Sequence, residues 1–431
     1  MNKFVVALGL AASGAMGYEG AAMAQSSLLG APKDWNASVS LQGFYDDNYS
    51  IGPNKHGSYG LEVSPTITAT IPLTQTQIGF LYTYGLQWYQ QRSDLHVNPY
   101  DQSHQVNLWV DHAFNERWDL KVSDTFVVGQ EPELLNGTSG QGAVPYRLDG
   151  NNIANNGLVK LHTDWTPLFS SELIYQNNFY QYSAQPYSGE LNRIDNSPEL
   201  DLQWHLAPET VAFIGYQFEI ENYTENAVIG QYYVAHPPNI LVGPYNYYSD
   251  SRDNINHYGY LGLQHTFLPN LVGSVRGGFQ YYETINDPLQ NTTDLTPYVD
   301  LSLIYTYLPG CNAQVGFTET RNATDVVTVN SSNYSLTQDQ ASSTVYASIN
   351  HQLTPKLLLS AIGRFSDSSF NGGQFADQEQ DDYSLGLNAN YAFTRHFSGT
   401  LGYNYDNVSA PSGTFQTYER NRFFVGVVIS Y

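Results

Sequence analysis

Apolar and polar residues alternate along this chain with a period of two, the spacing of strands that show different chemistry on their two faces. From Glu199 to Leu206, Leu200, Leu202, Trp204 and Leu206 fall on one face and Glu199, Asp201, Gln203 and His205 on the other. Residues 211–221 repeat this, with Ala212, Ile214, Tyr216, Phe218 and Ile220 opposite Gln217, Glu219 and Glu221. In 295–307, Leu295, Val299, Leu301, Leu303, Tyr305 and Tyr307 oppose Thr296, Asp300, Ser302 and Thr306. In a soluble sandwich the apolar face packs on a second sheet, whereas in an outer-membrane barrel it faces lipid and the polar face lines the lumen. Alternation alone does not separate the two.

The turns do. A large apolar residue stands two positions before each short turn, and four before it usually a His, Trp or Tyr. The pairs are His112 and Phe114, Trp204 and Leu206, His265 and Phe267, Tyr305 and Tyr307, His351 and Leu353, and Tyr391 and Phe393; Trp165 precedes Thr166-Pro167 with Thr163 in the outer slot. With a poorer match at Ile71-Pro72 this gives eight short turns, each separated from the next by a longer segment rich in Asn, Gly, Ser, Asp and Pro. Strict alternation of short and long connections is the pattern of an outer-membrane barrel, with short periplasmic turns, long external loops and aromatic girdles at the interfaces. A sandwich or propeller has no reason to sort its loops by length. Eight turns and two terminal strands predict an all-β, transmembrane antiparallel barrel of about 18 strands, with 16 the nearest alternative. His112, Phe114, Trp165, Trp204, His265, Phe267, Tyr305, Tyr307, His351, Tyr391 and Phe393 are the expected periplasmic girdle.

Composition agrees. Only 13% of the 431 residues are charged while 14% are aromatic, with 35 Tyr and 36 Gly. Acids outnumber bases 40 to 17, a net charge of −23, which excludes a nucleic-acid partner whose phosphates need neutralising. Lys3, the apolar stretch Phe4–Met16 and Ala22-Met23-Ala24 predict a signal peptide over 1–24, a short segment over 25–35 and a single barrel over 36–431. The lone Cys311 has no intramolecular disulfide partner.

The last strand places Phe423, Val425, Val427, Ile429 and Tyr431 on one face, with Tyr431 the final residue. This resembles the recognition signal of bacterial outer-membrane proteins, and the resemblance implies insertion by the barrel assembly machinery. Together with the leader and the repeated turn motif, the chain is similar to the Gram-negative outer-membrane group called "putative beta-barrel porins". The resemblance covers nearly the whole mature chain and implies architecture rather than substrate.

For chemistry, nine external windows (46–57, 91–103, 130–155, 184–196, 221–253, 283–294, 319–340, 366–382 and 406–419) hold 26 acids and 6 bases. An acidic mouth would concentrate cations. Asp377, Glu379, Asp381 and Asp382 form the densest acid cluster, a candidate calcium site in an external loop that lacks the glycine turn and closing glutamate of an EF-hand. The face opposite the apolar one supplies candidate pore-lining residues: Asp111, Asp119, Lys121, Glu199, Asp201, Glu219, Arg276, Asp300 and Arg364, with Gln105, Asn107, Gln217, Gln280, Asn388 and Asn404 beside them. No Gly-x-Ser-x-Gly elbow occurs and alternation begins by Val39, so neither a hydrolase nor a plugged receptor is expected. The expected function is passive diffusion of small hydrophilic solutes, cations preferred, with no cofactor beyond the possible calcium. The partners would be outer-membrane lipid and the assembly machinery, and a homo-oligomer is compatible. The alternative is a closed barrel serving as adhesin or anchor through the loops at 130–155 and 224–253.

Overall fold

Each alternating segment forms one strand, and the strands close on themselves. The computed structural model describes residues 34–130, 152–183, 187–236, 240–324, 326–330, 335–410 and 417–431. The expected leader 1–24, and most of the segment 25–35, lie outside the described residues. The first nine barrel strands are β1 (Trp35–Asp46), β2 (Ser58–Pro72), β3 (Thr76–Tyr89), β4 (Tyr100–Asn115), β5 (Trp118–Gly129), β6 (Asn152–Thr166), β7 (Phe169–Gln181), β8 (Arg193–Ala207) and β9 (Thr210–Tyr223). The rest are β10 (Asn254–Leu268), β11 (Leu271–Thr284), β12 (Thr293–Leu308), β13 (Cys311–Ala323), β14 (Asp339–Thr354), β15 (Leu357–Asn371), β16 (Glu379–Ala392), β17 (Phe397–Ser409) and β18 (Tyr418–Ser430). They form one 18-stranded antiparallel sheet in which β1 pairs with both β2 and β18, from Ser38 opposite Ser430 to Asp46 opposite Arg422. Closure leaves no sheet edge, which a strand in lipid requires because no water is there to pair its amides.

The predicted sorting of connections holds. Glu116-Arg117, Pro167-Leu168, Pro208-Glu209, Pro269-Asn270, Pro309-Gly310 and Pro355-Lys356 are two-residue turns at one end, joined there by 73–75 and 393–396. Ile71 and Pro72 belong to β2 rather than to a turn, since the ladder with β3 continues to Pro72 opposite Gln77.

The apolar face points outward. Phe114, Trp165, Trp204, Phe267, Tyr305, Tyr391 and Phe393 are all exposed near the short-turn end. The repeated histidine has one geometry in two places. His112 bonds the Thr76 hydroxyl at 2.8 Å with Phe114 edge-on, and His265 bonds the Thr210 hydroxyl at 2.8 Å with Phe267 edge-on. His351 accepts or donates to the Tyr307 hydroxyl at 2.8 Å and stacks on that ring. Holding a ring nitrogen on a cross-strand hydroxyl satisfies the polar end of the imidazole and leaves its carbon edge beside the aromatic neighbours.

A second girdle was not read from sequence. Tyr45, Tyr59, Tyr175, Tyr216, Phe279, Tyr383 and Phe423 are exposed near the long-loop end. From Trp35 to Tyr45 along β1 is about 33 Å of strand, or about 25 Å once tilted, the height of a lipid-facing band. Val427 lies between the two belts, registered with Leu41 of β1 and Gly399 of β17.

Candidate functional site

The inward face is identified by one contact. Arg276 of β11 reaches Glu199 Oε1 at 3.1 Å and Asp201 Oδ2 at 3.4 Å on β8, across two intervening strands. Only the concave side of a barrel brings side chains of such strands together. Gly262 makes the approach open, since a Cβ there would lie 2.1 Å from the Phe213 ring, over which the Arg276 guanidinium sits at 5.3 Å. Tyr260 joins the group, its hydroxyl lying 2.5 Å from Glu199 Oε1 and 2.6 Å from Asp201 Oδ1 and donating its one proton to this carboxylate pair.

Register carries this face around the barrel. Asp111 is opposite Lys121, Lys121 opposite Lys160, Asp119 opposite His162, and Asp300 opposite Arg276. Glu219 accepts from the Tyr258 hydroxyl at 2.7 Å, and Arg364 stands between Tyr346 and Ser384. All nine candidate pore-lining positions therefore share the inward face with Arg276. The structure brings Glu199, Asp201 and Arg276 together and sets Asp300 beside them. Lys160 and Glu172, at 2.6 Å, belong to the same face and were not singled out from sequence, though Lys160 sits at the polar phase of β6. The opposite charges are interleaved as local pairs rather than ranged as an acidic row facing a basic one.

The external acidity needs a correction. Asp46, Asp101, Asp195, Glu221, Asp382 and Asp406 lie within strands, not loops, and are buried on the inward face near the long-loop end. Here bases hold acids: Arg92 to Asp101 at 2.5 Å, Arg420 to Asp406 at 2.9 Å, and Arg193 to Asp195 at 3.4 Å. In the first loop Lys55 bridges Asp47 at 3.1 Å and Glu419 at 3.3 Å. Burial pushes the Asp47 carboxyl up, but hydrogen bonds from Asn421 and the Lys55 ammonium hold it below its ordinary value.

The four acids of the calcium candidate do not converge. Asp377 sits in the connection after β15 with φ 62°, Glu379 opens β16 exposed, and Asp381 and Asp382 project to opposite faces of that strand. Among the described residues no three His, Cys, Asp or Glu side chains are placed to share a metal ion.

The loops themselves are tied by Arg252, which is fully buried between β9 and β10. Its guanidinium donates to the carbonyls of Glu190 at 2.6 Å, Thr324 at 2.5 Å and Gln338 at 3.3 Å, and lies 4.5 Å over the Tyr223 ring. Three long loops thus share one cation. Burial raises the Glu190 carboxyl above its ordinary value, with Arg252 opposing. Arg252→Ala should leave three buried carbonyls unsatisfied, about 1–3 kcal/mol each at most, and loosen the loops. Limited proteolysis of the intact barrel checks this: cleavage within 224–253 is expected to speed up while the barrel stays heat-modifiable, and an unchanged rate would remove the clamp role.

A family model described as "Putative beta-barrel porin 2" matches residues 309–431, which span β13 to β18. Among solved structures, the chain is similar to the FrpB iron transporter from Neisseria meningitidis, with 8% identity over 89% of this chain and a TM-score of 0.44. It spans 63% of the length of that structure. It is also similar to OccAB4 from Acinetobacter baumannii, with 10% identity, 93% of this chain, 99% of that one and a TM-score of 0.40. The outer membrane protein opdK from Pseudomonas aeruginosa gives 10% identity, 93% and 100% coverage and a TM-score of 0.44. No curated protein sequence matches the chain.

Proposed function

We propose that this barrel is a non-enzymatic channel of the bacterial outer membrane for passive diffusion of small hydrophilic solutes, with cations preferred. The observation that carries the reading is the closed ring of 18 strands with charged side chains on its inward face. A ring of about 16–18 strands encloses more space than its own side chains fill, so the interior is wet, and a wet interior lined by ion pairs admits polar solutes. The matched family description, a porin, supports both the location and the absence of catalysis. Cation preference is supported by the excess of acids over bases in the chain, 40 to 17.

In planar bilayers the purified barrel is expected to give discrete single-channel steps. A heat-modifiable, well-folded barrel without conductance across voltage and salt would instead favour the anchor reading, in which the loops at 130–155 and 224–253 act as contact surfaces.

A further inference from the structure

Between β12 and β13 both strands run on after their ladder has stopped. Pairing ends at Val299 opposite Glu319, yet β12 extends upward to Thr293 and β13 to Ala323. Prolines elsewhere do not have this effect. At Pro65 and at Pro198 the ladder skips two residues and resumes in the same register. At Pro297 it does not resume, and proline brings no N–H with which to bind a neighbour.

The upper end of β13 goes inward. The Arg321 N–H donates to Gln280 Oε1 at 2.9 Å, and Gln280 Nε2 donates back to the Arg321 carbonyl at 3.1 Å. Gln280 is an inward residue of β11, so β13 crosses the inner side of β12 to reach it. Its carboxamide stands in for a missing strand, offering one acceptor and one donor as a paired residue would. The Arg321 guanidinium then lies 4.1 Å over Tyr282 and binds Asp294 of β12 at 2.6 Å and Asp339 at 2.5 Å.

The seam joins two apolar surfaces. Outside, Leu295 and Phe279, both 62% exposed, belong to the outer girdle level. Inside, Tyr298 is packed in a buried cluster with Phe213, Tyr258 and Tyr260. Beside Tyr298 on the inward face, opposite Gln280, the Thr296 hydroxyl is shielded from solvent and has no hydrogen-bond partner. Addition of a foreign strand does not suit this edge, because Pro297 lacks a donor, Asp294 charges it and β13 already occupies its inner side.

We infer that the β12–β13 seam is a lateral portal by which a small aromatic or amphiphilic molecule passes between the lumen and the outer leaflet, with the Arg321–Asp294 pair as its latch. Rings inside recognise the aromatic body, and the Thr296 hydroxyl takes a polar substituent. This goes beyond diffusion along the lumen and is separable from it.

Cysteine accessibility tests the portal in full-length protein carrying Cys311→Ala and reconstituted in phosphatidylcholine vesicles. Thr296→Cys and Ser302→Cys both face inward on β12, but Thr296 lies above the end of the β12–β13 ladder, whereas the control Ser302 is paired on both sides with Ser274 and Gly316. N-(1-pyrenyl)maleimide, which partitions into the bilayer, should label Thr296→Cys several-fold faster than Ser302→Cys. A charged, water-soluble methanethiosulfonate should show no such preference. Adding Asp294→Asn should speed pyrenyl labelling further. Equal pyrenyl labelling of the two cysteines, or labelling of neither, would overturn the portal whether or not the barrel conducts, and no response to Asp294→Asn would overturn the latch. Tyr298→Cys replaces Thr296→Cys if the latter fails to migrate as a heat-modifiable barrel.

Discussion

Val427→Arg is expected to remove the protein from the outer membrane. Val427 projects outward midway between the two aromatic belts, on the strand that closes the ring against Leu41 of β1. A cationic side chain on the lipid face at that depth costs about 2–4 kcal/mol, and here it falls on the ladder that closes the barrel. Val428→Arg, one residue on, enters the inward face opposite Ser40 and Ser398 and should be tolerated. The contrast isolates the face from the strand. Membrane fractionation with heat-modifiable migration reads the result, and equal outer-membrane levels for the two variants would contradict the assignment of faces. Loss of Tyr431 should act in the same direction. Its N–H donates to the Ala37 carbonyl at 2.9 Å and its ring lies 5.7 Å from Trp35, so it fastens the end of β18 to the start of β1.

The second large effect is expected at Arg276. Its guanidinium is shared by Glu199 and Asp201, so the base opposes anion exclusion less than a solitary lumen cation would. Arg276→Gln strips a neutralising charge from two carboxylates and should raise the cation-to-anion permeability ratio. The change is strongest below about 0.1 M salt, where the Debye length exceeds about 10 Å. Losing hydrogen bonds to charged groups should also cost about 1.5–3 kcal/mol of stability. The double change Glu199→Gln and Asp201→Asn, with Arg276 retained, should shift selectivity toward anions. Reversal potentials in a salt gradient measure both, and selectivity that ignores both changes would place the selective constriction elsewhere. Neutralising the acids after β15 is expected to act mainly through Asp382, because it alone of the four is buried on the inward face.

Several features were legible because they are local. A strand between lipid and water repeats its environment every second residue, so the faces of β8, β9 and β12 follow from the order of their side chains. The lengths of connections are written directly in the chain, and with the repeated His, Trp or Tyr they determine strand number, closure and the inner belt. The outer belt was missed because the residues before the long loops carry no fixed spacing to a turn. Charge in the windows was miscast as wholly external for a related reason: nothing in sequence marks where a strand stops, and Asp195 and Glu221 lie inside β8 and β9.

The partnerships belong to the tertiary structure. Arg276 meets acids 75 and 77 residues away, and Arg252 meets carbonyls 62 to 86 residues away. Period two says only that such residues face inward. Which of them touch depends on ladder register and on the curvature of the closed wall, properties of all 18 strands together. The seam is the clearest case, since Pro65, Pro198 and Pro297 read alike along the chain. Only at Pro297 does the neighbouring strand find a better set of partners across the inside of the barrel, and that choice exists only once the barrel is closed.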